Sequence, residues 1–411
     1  MTMTSNENDD LELYSKLIRL REIKKKSKDR MDLLIRLTFE MLTFSPIKMI
    51  IIYVFCQYSF ATLLTIYHLL DRFDTKTLLK HGSFCGIQIF VLINLGSIIF
   101  MADTLFKLLK KYKIGILPLE LLNDEIFRKT LLLGNMVKIV CLLNFLFAII
   151  ATLGFIAAPE YFNEKTYLSV WIQETFPDYS NLMLLVVHWS SLPVALVMVG
   201  SSIGWAYAGT TAIFQIYVLR EFIAAIPKTN FPRKMRLDSK VYQESIKQKF
   251  IIAIMVYEFA VSFVSTACDI LEPAMIMFSL GSVILGGSLM IEFFSNQEQN
   301  FGDQYAIYVG IFFFALAGII SGNLYLLIGQ GMKDASEGCN YIMRQFPWYY
   351  MNEENKQIYS IFLHRTEKPL CLSCSLMQVD YFLLVRIVKS LYSLAAVLAQ
   401  FVSSHGPTDT Q

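Results

Sequence analysis

Eight apolar runs, each parted from the next by a polar segment, set what this 411-residue chain can fold into. They cover 47–70, 84–105, 132–158, 182–218, 250–268, 274–294, 305–330 and 379–402. Runs of about 20 residues match a helix that crosses the roughly 30 Å hydrocarbon layer of a bilayer. In that layer every backbone N–H and C=O needs a partner within the protein, so such runs become helices. Composition agrees: 17% of the residues are charged and 55% hydrophobic, where a soluble domain carries about 25% charged residues. The chain reads as an all-α, multi-pass membrane protein. Its first 46 residues are polar and lysine-rich, with no apolar core of leader length, so no cleavable signal peptide is expected.

The distribution of charge says more than the net +2. Segment 1–46 holds nine Lys and Arg, 106–131 six, 219–249 eight and 331–374 five. Segment 159–181 has only Lys165, against Glu160, Glu164, Glu174 and Asp178, and 295–304 and 403–411 have none. Basic loops stay in the cytoplasm, which puts the amino terminus there. If both 250–268 and 274–294 crossed, 295–304, which has no Lys or Arg, would lie inside and the basic 331–374 outside. If one crosses, both fall on the expected side. The weaker run is 250–268, with Glu258 in its middle and Asp269 and Glu272 just after it. An acidic group at membrane depth costs about 2.5–3.5 kcal/mol on insertion scales. Seven transmembrane helices result, with the carboxyl terminus extracellular. Only 71–82, with Arg72, Lys76 and Lys80 beside Asp71 and Asp74, runs against the bias.

The expected organisation is a cytoplasmic segment 1–46, then helices one to six over 47–330. Within these, 241–270 is a cytoplasmic extension of helix five. Anchor helices over 331–378, a seventh helix over 379–402 and an extracellular tail over 403–411 follow. Ile342, Phe346, Trp348, Tyr359, Phe362 and Leu363 need burial, which predicts a packed intracellular helical anchor layer and a possible subunit contact.

Nothing in the chain points to catalysis: there is no nucleophile–base set, phosphate loop or metal cluster. Cys371-x-x-Cys374 lacks a second ligand pair, and the five histidines are scattered. No cofactor and no nucleic-acid partner is expected. The last run has one wet face. On a helix, Ser390, Ser393, Val397, Gln400 and Ser404 recur at intervals of three and four and form one stripe. Such a stripe can wall a pore, where valine gates by dewetting and glutamine solvates ions. Serines that bond back to their own helix, or small residues at a tight helix contact, make the same pattern without a pore.

Upstream of that stripe stand Gly329-Gln-Gly331, Phe346-Pro-Trp348-Tyr349, Leu363-His-Arg-Thr-Glu-Lys-Pro-Leu370 and Lys389-Ser-Leu-Tyr392-Ser393. In this order and spacing, over about 322–402, they resemble the insect odorant receptor family. That family's inverted seven-helix topology matches the one read from charge. The short segment 219–248 resembles a ligand-tuning subunit, since the shared co-receptor has a long insert there. Gustatory receptors end in a Thr-Tyr, five apolar residues, Gln-Phe pattern. Here Gln400-Phe401 is kept and the Thr-Tyr is lost, which favours the odorant branch. A gustatory-type ligand-gated channel and a metabotropic seven-helix receptor remain the rival readings.

The resemblance implies an odorant-gated, non-selective cation channel, tetrameric, with a pore lined by helix seven and gated at Val397, Gln400 and Phe401. It implies a heterotetramer with the insect odorant co-receptor, in the cell membrane of olfactory sensory neuron dendrites, among membrane lipid. Small volatile ligands would bind in the outer half of the bundle. Candidate lining residues there are Phe84, Ile87, Gln88, Phe147, Phe155, Met183, Val187, His188, Ser191, Tyr305, Tyr308 and Phe312. Tyr305 and Tyr308 share a helical face and resemble the family's aromatic pocket pair. Tyrosines at a helix end also serve as interface anchors.

Overall fold

The structure, a computed structural model, describes residues 41–71, 75–113, 124–227, 236–295, 305–374 and 377–405. Its helices are α1 (Ser45–Asp71), α2 (Thr75–Lys113), α3 (Asp124–Ala157), α4 (Pro159–Lys165), α5 (Tyr167–Thr175), α6 (Ser180–Trp189), α7 (Ser191–Ala225), α8 (Lys240–Ser295), α9 (Tyr305–Arg344), α10 (Glu353–Glu367) and α11 (Tyr381–His405). A two-residue antiparallel pair, β1 (Ser373–Cys374) with β2 (Met377–Gln378), pairs Ser373 with Gln378 and Cys374 with Met377. Among the described residues, six helical segments are long and apolar enough to cross a membrane: Ser45–Asp71, Lys80–Leu108, Asp124–Ala157, Pro177–Ala225, Lys240–Ile270 and Tyr305–Arg344. The 25 residues of α11 reach about 37 Å at 1.5 Å per residue, enough for a further crossing. The chain is a multi-pass, all-helical membrane protein apart from that small β pair.

Helix α7 is the hub. Residues 202–210 and 212–216 are buried without a break, so it has no solvent or lipid face over that stretch. Gly200, Ser202, Gly204, Ala206, Ala208 and Gly209 give it a thin profile, and small side chains let membrane helices approach closely. A Cβ on Gly209 would lie 2.0 Å from Cγ2 of Ile328 on α9. Helices α3 and α9 meet at a glycine pair, where a Cβ on Gly154 would lie 2.8 Å from the Gly310 Cα.

The runs at 250–268 and 274–294 belong to one unbroken helix, α8, of 56 residues. At 1.5 Å per residue that is about 84 Å, twice the roughly 40–45 Å of a whole bilayer. Half of α8 must therefore project beyond any membrane it crosses. Its first half buries a stripe of Tyr242, Ile246, Phe250, Ala253, Tyr257, Ala260, Val264 and Ala267, at intervals of three and four. Phe250 meets Phe346, Tyr359 and Phe362 at ring distances of 5.1, 6.2 and 6.4 Å. Ile342 and Leu363 pack against the same core, whereas Trp348 stays half exposed. Glu258 is bonded by Arg365 of α10, Nε at 2.8 Å and Nη2 at 3.3 Å, which gives the acid in the middle of that apolar run its counter-ion.

Helix α10 is well terminated. The Asn352 side chain accepts from the Asn355 N–H, Glu353 and Glu354 open the helix, and His364 and Arg365 close it. The buried Asn355 amide also donates to Gln243, to its carbonyl O at 2.9 Å and its Oε1 at 2.8 Å, and Gln243 Nε2 donates to the Tyr350 carbonyl. These bonds lock α10 onto the start of α8.

Candidate functional site

A chamber of about 870 Å³ runs down the bundle between α1, α2, α3, α7, α8, α9 and α11. At the α4–α5 end its wall is aromatic. Phe162 of α4 meets Phe155 at 4.9 Å and Phe84 at 5.5 Å, and Phe155 meets Phe314 at 6.0 Å. At mid-depth Gln57 Nε2 donates to Ser190 Oγ at 2.9 Å, where α6 passes into α7. Deeper still, Trp205 stacks on Tyr325 with ring centroids 5.8 Å apart. The inner wall is Val379 with Leu383, Leu384, Ile387, Val388, Leu391 and Ala395 of α11, facing Leu285, Gly286 and Leu289 of α8.

Among the described residues, no Asp, Glu, Lys or Arg lines the chamber. Its polar groups are largely spent on their own helices. Asn94 donates to the Phe90 carbonyl, Ser97 to Ile93, Thr152 to Ala148, Thr166 to Phe162 and Ser191 to His188. Asn144, Ser321 and Ser202 form a buried relay across α3, α9 and α7, with Asn144 Nδ2 donating to Ser321 Oγ at 2.9 Å and Ser202 Oγ 3.3 Å beyond. Such walls offer lone pairs and hydrocarbon but few free donors, which suits an uncharged, mainly apolar ligand.

Of the residues expected to line a pocket, Phe84, Ile87, Gln88, Phe155, Val187, His188 and Ser191 border this chamber. Five do not. Phe147 packs on Phe313 at 5.3 Å, and Tyr308 is half-buried away from the chamber wall. Met183, Tyr305 and Phe312 are exposed on the outside of the bundle. The three-and-four spacing that groups Tyr305 with Tyr308 fixes a shared face but not its direction. The wall from Trp205, Tyr325, Leu285 and α11 went unmarked in the sequence, because single apolar residues in apolar runs carry no signal of their own.

The stripe on α11 is exposed at Ser390, Ser393, Val397 and Gln400, while Leu391 and Leu394 turn the other way onto α8. A Cβ on Gly286 would lie 2.4 Å from Leu391 Cδ2, and one on Gly287 2.8 Å from Leu394 Cδ2. The side chains of Phe401 and Ser404 lie outside the described residues. Asp380 starts the helix: its Oδ1 accepts from the N–H of Phe382 at 3.0 Å and of Leu383 at 3.3 Å. Elsewhere, no group of three His, Cys, Asp or Glu among the described residues could hold a metal ion. Burial pushes the Cys371 thiol upward, and the side chain of Cys374 lies outside the described residues.

No protein-family model and no curated protein sequence matches the chain. Solved structures do. The structure of the insect olfactory receptor OR5 from Machilis hrabei in complex with eugenol superposes with a TM-score of 0.64, covering 93% of this chain and 99% of that one at 11% identity. A second structure of that receptor gives 0.60, covering 85% and 88%. The chain has the fold of the insect olfactory receptors.

Proposed function

We propose that the chain is an odorant receptor of the insect family: a ligand-tuning subunit of an odorant-gated, non-selective cation channel. One observation carries the reading most. A chamber that no described Asp, Glu, Lys or Arg lines and the exposed Ser390–Gln400 stripe lie on opposite sides of the same helix, α11. A ligand in the chamber touches the back of α11 and biases how it stands. Four such helices around an axis would ring Val397 and Gln400 about a pore, with Phe401 beside them. Binding opens the pore to the extent that the open state holds the ligand more tightly.

The ligand is a small volatile organic molecule. Phe84, Ile87, Gln88, Phe155, Val187, His188 and Ser191 contact it in the outer part of the chamber. The amino terminus lies in the cytoplasm, and the layer built by α10 and the first half of α8 lies below the bilayer. The partner is the insect odorant co-receptor in a heterotetramer, and the site of action is the olfactory neuron's dendritic membrane. Voltage clamp of cells expressing the chain with and without the co-receptor, against a panel of volatiles, tests this. Odorant-evoked cation current only with the co-receptor is the expected result. Silence in both, with the chain at the surface, overturns it.

A further inference from the structure

The chamber is longer than a compact volatile needs. Its wall takes in α7 from Ser191 to Trp205 and α9 from Ile311 to Leu326. At 1.5 Å per residue each stretch measures about 20 Å. An alkyl chain in staggered conformation, built from C–C bonds of about 1.5 Å, advances about 1.25 Å per carbon. A chain of about 16 carbons therefore reaches from one end to the other.

Two further features favour a chain over a ring. Among the described residues the walls carry no Asp, Glu, Lys or Arg, and the hydroxyls along them mostly donate to their own helices, while the buried Trp205 indole N–H, which has no hydrogen-bond partner, can donate to a single oxygen. The chamber is also open on one side, partway along the membrane-length helix α9. Gly318 and Ile319 of α9 and Val388 of α11 border it and are themselves exposed. A Cβ added to Gly318 or Gly322 would meet nothing within 4 Å. A molecule that partitions into lipid reaches this opening without crossing water.

We propose that the chamber takes an uncharged, straight-chain aliphatic ligand of about 12 to 16 carbons with one oxygenated end, lying along the bundle with one end against Leu383 and Ile387 of α11. This rests on the channel reading above. Chain length then sets potency, because each added methylene extends the buried contact from the aromatic wall around Phe155 toward the back of α11. A short ligand fills the aromatic end alone.

The test is a series of straight-chain primary alcohols from about 6 to 18 carbons, with one-ring phenols as compact controls, applied to the chain and its co-receptor under voltage clamp. Potency should climb by up to about fourfold per methylene, the worth of burying one, and break off near 16 carbons. Gly322→Phe places a ring four residues above Leu326, which shortens the chamber by about 6 Å. It should move the break-off down by about five carbons and leave the response to short alcohols in place; Gly322→Leu should move it less. Plain partitioning into lipid would raise potency with length but would not shift the break-off in the variants. Current evoked by phenols but not by long alcohols sinks the ligand class and leaves the channel reading standing. A break-off that stays put in both surface-expressed variants sinks the placement along α9. No current from any compound sinks the channel reading and this inference with it.

Discussion

Two residues carry the sharpest expectations, one on each side of α11. Gln400 stands exposed on the stripe with Val397. If that stripe faces ions, Gln400→Ala removes a group that can replace their hydration. The expected outcome is a changed single-channel conductance or a shifted reversal potential in mixed cations, with agonist potency little moved. Unaltered permeation would take α11 out of the pore wall. On the other side Phe155 meets both Phe162 and Phe314 in the aromatic end of the chamber. Aromatic pairs of this kind contribute about 0.5–1.5 kcal/mol beyond area burial, so Phe155→Ala should weaken agonists by roughly three- to tenfold. Tyr308→Ala, away from the chamber wall, should leave dose–response curves within about twofold; it is the control that separates lining from mere proximity. The sequence could place Tyr305 and Tyr308 on one helical face, because spacing of three fixes relative direction. It could not say that this face turns from the chamber, since absolute orientation depends on which neighbours the helix meets.

At the scale of elements, glycine decides how close the helices come. Gly329 of α9 lies against the Val379 carbonyl just before α11, and a Cβ there would be 1.9 Å from that oxygen. The neighbour is backbone, pinned in turn by the Val379 N–H donating to Leu372 O and by the Asp380 cap. Gly329→Ala must push the start of α11 off α9, and overpacking of this kind costs about 1–3 kcal/mol. A lower thermal midpoint in detergent, with reduced surface expression, is the expected result. An unchanged midpoint would mean that the segment yields freely. The Glu258–Arg365 pair is the opposite case. Both side chains are about half exposed, so a double-mutant cycle on stability should give a coupling of only about 1 kcal/mol or less. A coupling several times larger would mean that a partner subunit or lipid buries it. Helices of this length were legible from hydropathy alone. That 250–268 and 274–294 form a single helix was legible only in part: the acid at Glu258 argued against a crossing there, but its partner Arg365 lies 107 residues on, and no local pattern announces a contact of that range.

On the scale of the whole molecule, α8 links the direction in which the bundle faces to the rest of the fold. A helix of 56 residues cannot lie wholly within a bilayer. Its first half is committed to a layer with α10, held by the Gln243–Asn355 bonds and by Phe250 against Phe346 and Phe362. The segments that feed this layer, 219–249 and 331–374, are the basic ones, with eight and five Lys and Arg. On the positive-inside bias we propose that this layer is cytoplasmic. That proposal puts the amino terminus on the same side, the carboxyl terminus opposite if the number of crossings is odd, and the aromatic end of the chamber toward the outside. Epitope tags at Met1 and after Gln411 should therefore label differently on intact cells: the carboxyl-terminal tag without permeabilisation, the amino-terminal tag only after it. The reverse pattern would turn the chamber mouth to the cytoplasm and remove its access to airborne ligands. Both tags labelling together would make the number of crossings even; if α11 is the helix that does not cross, the Ser390–Gln400 stripe has no pore to line.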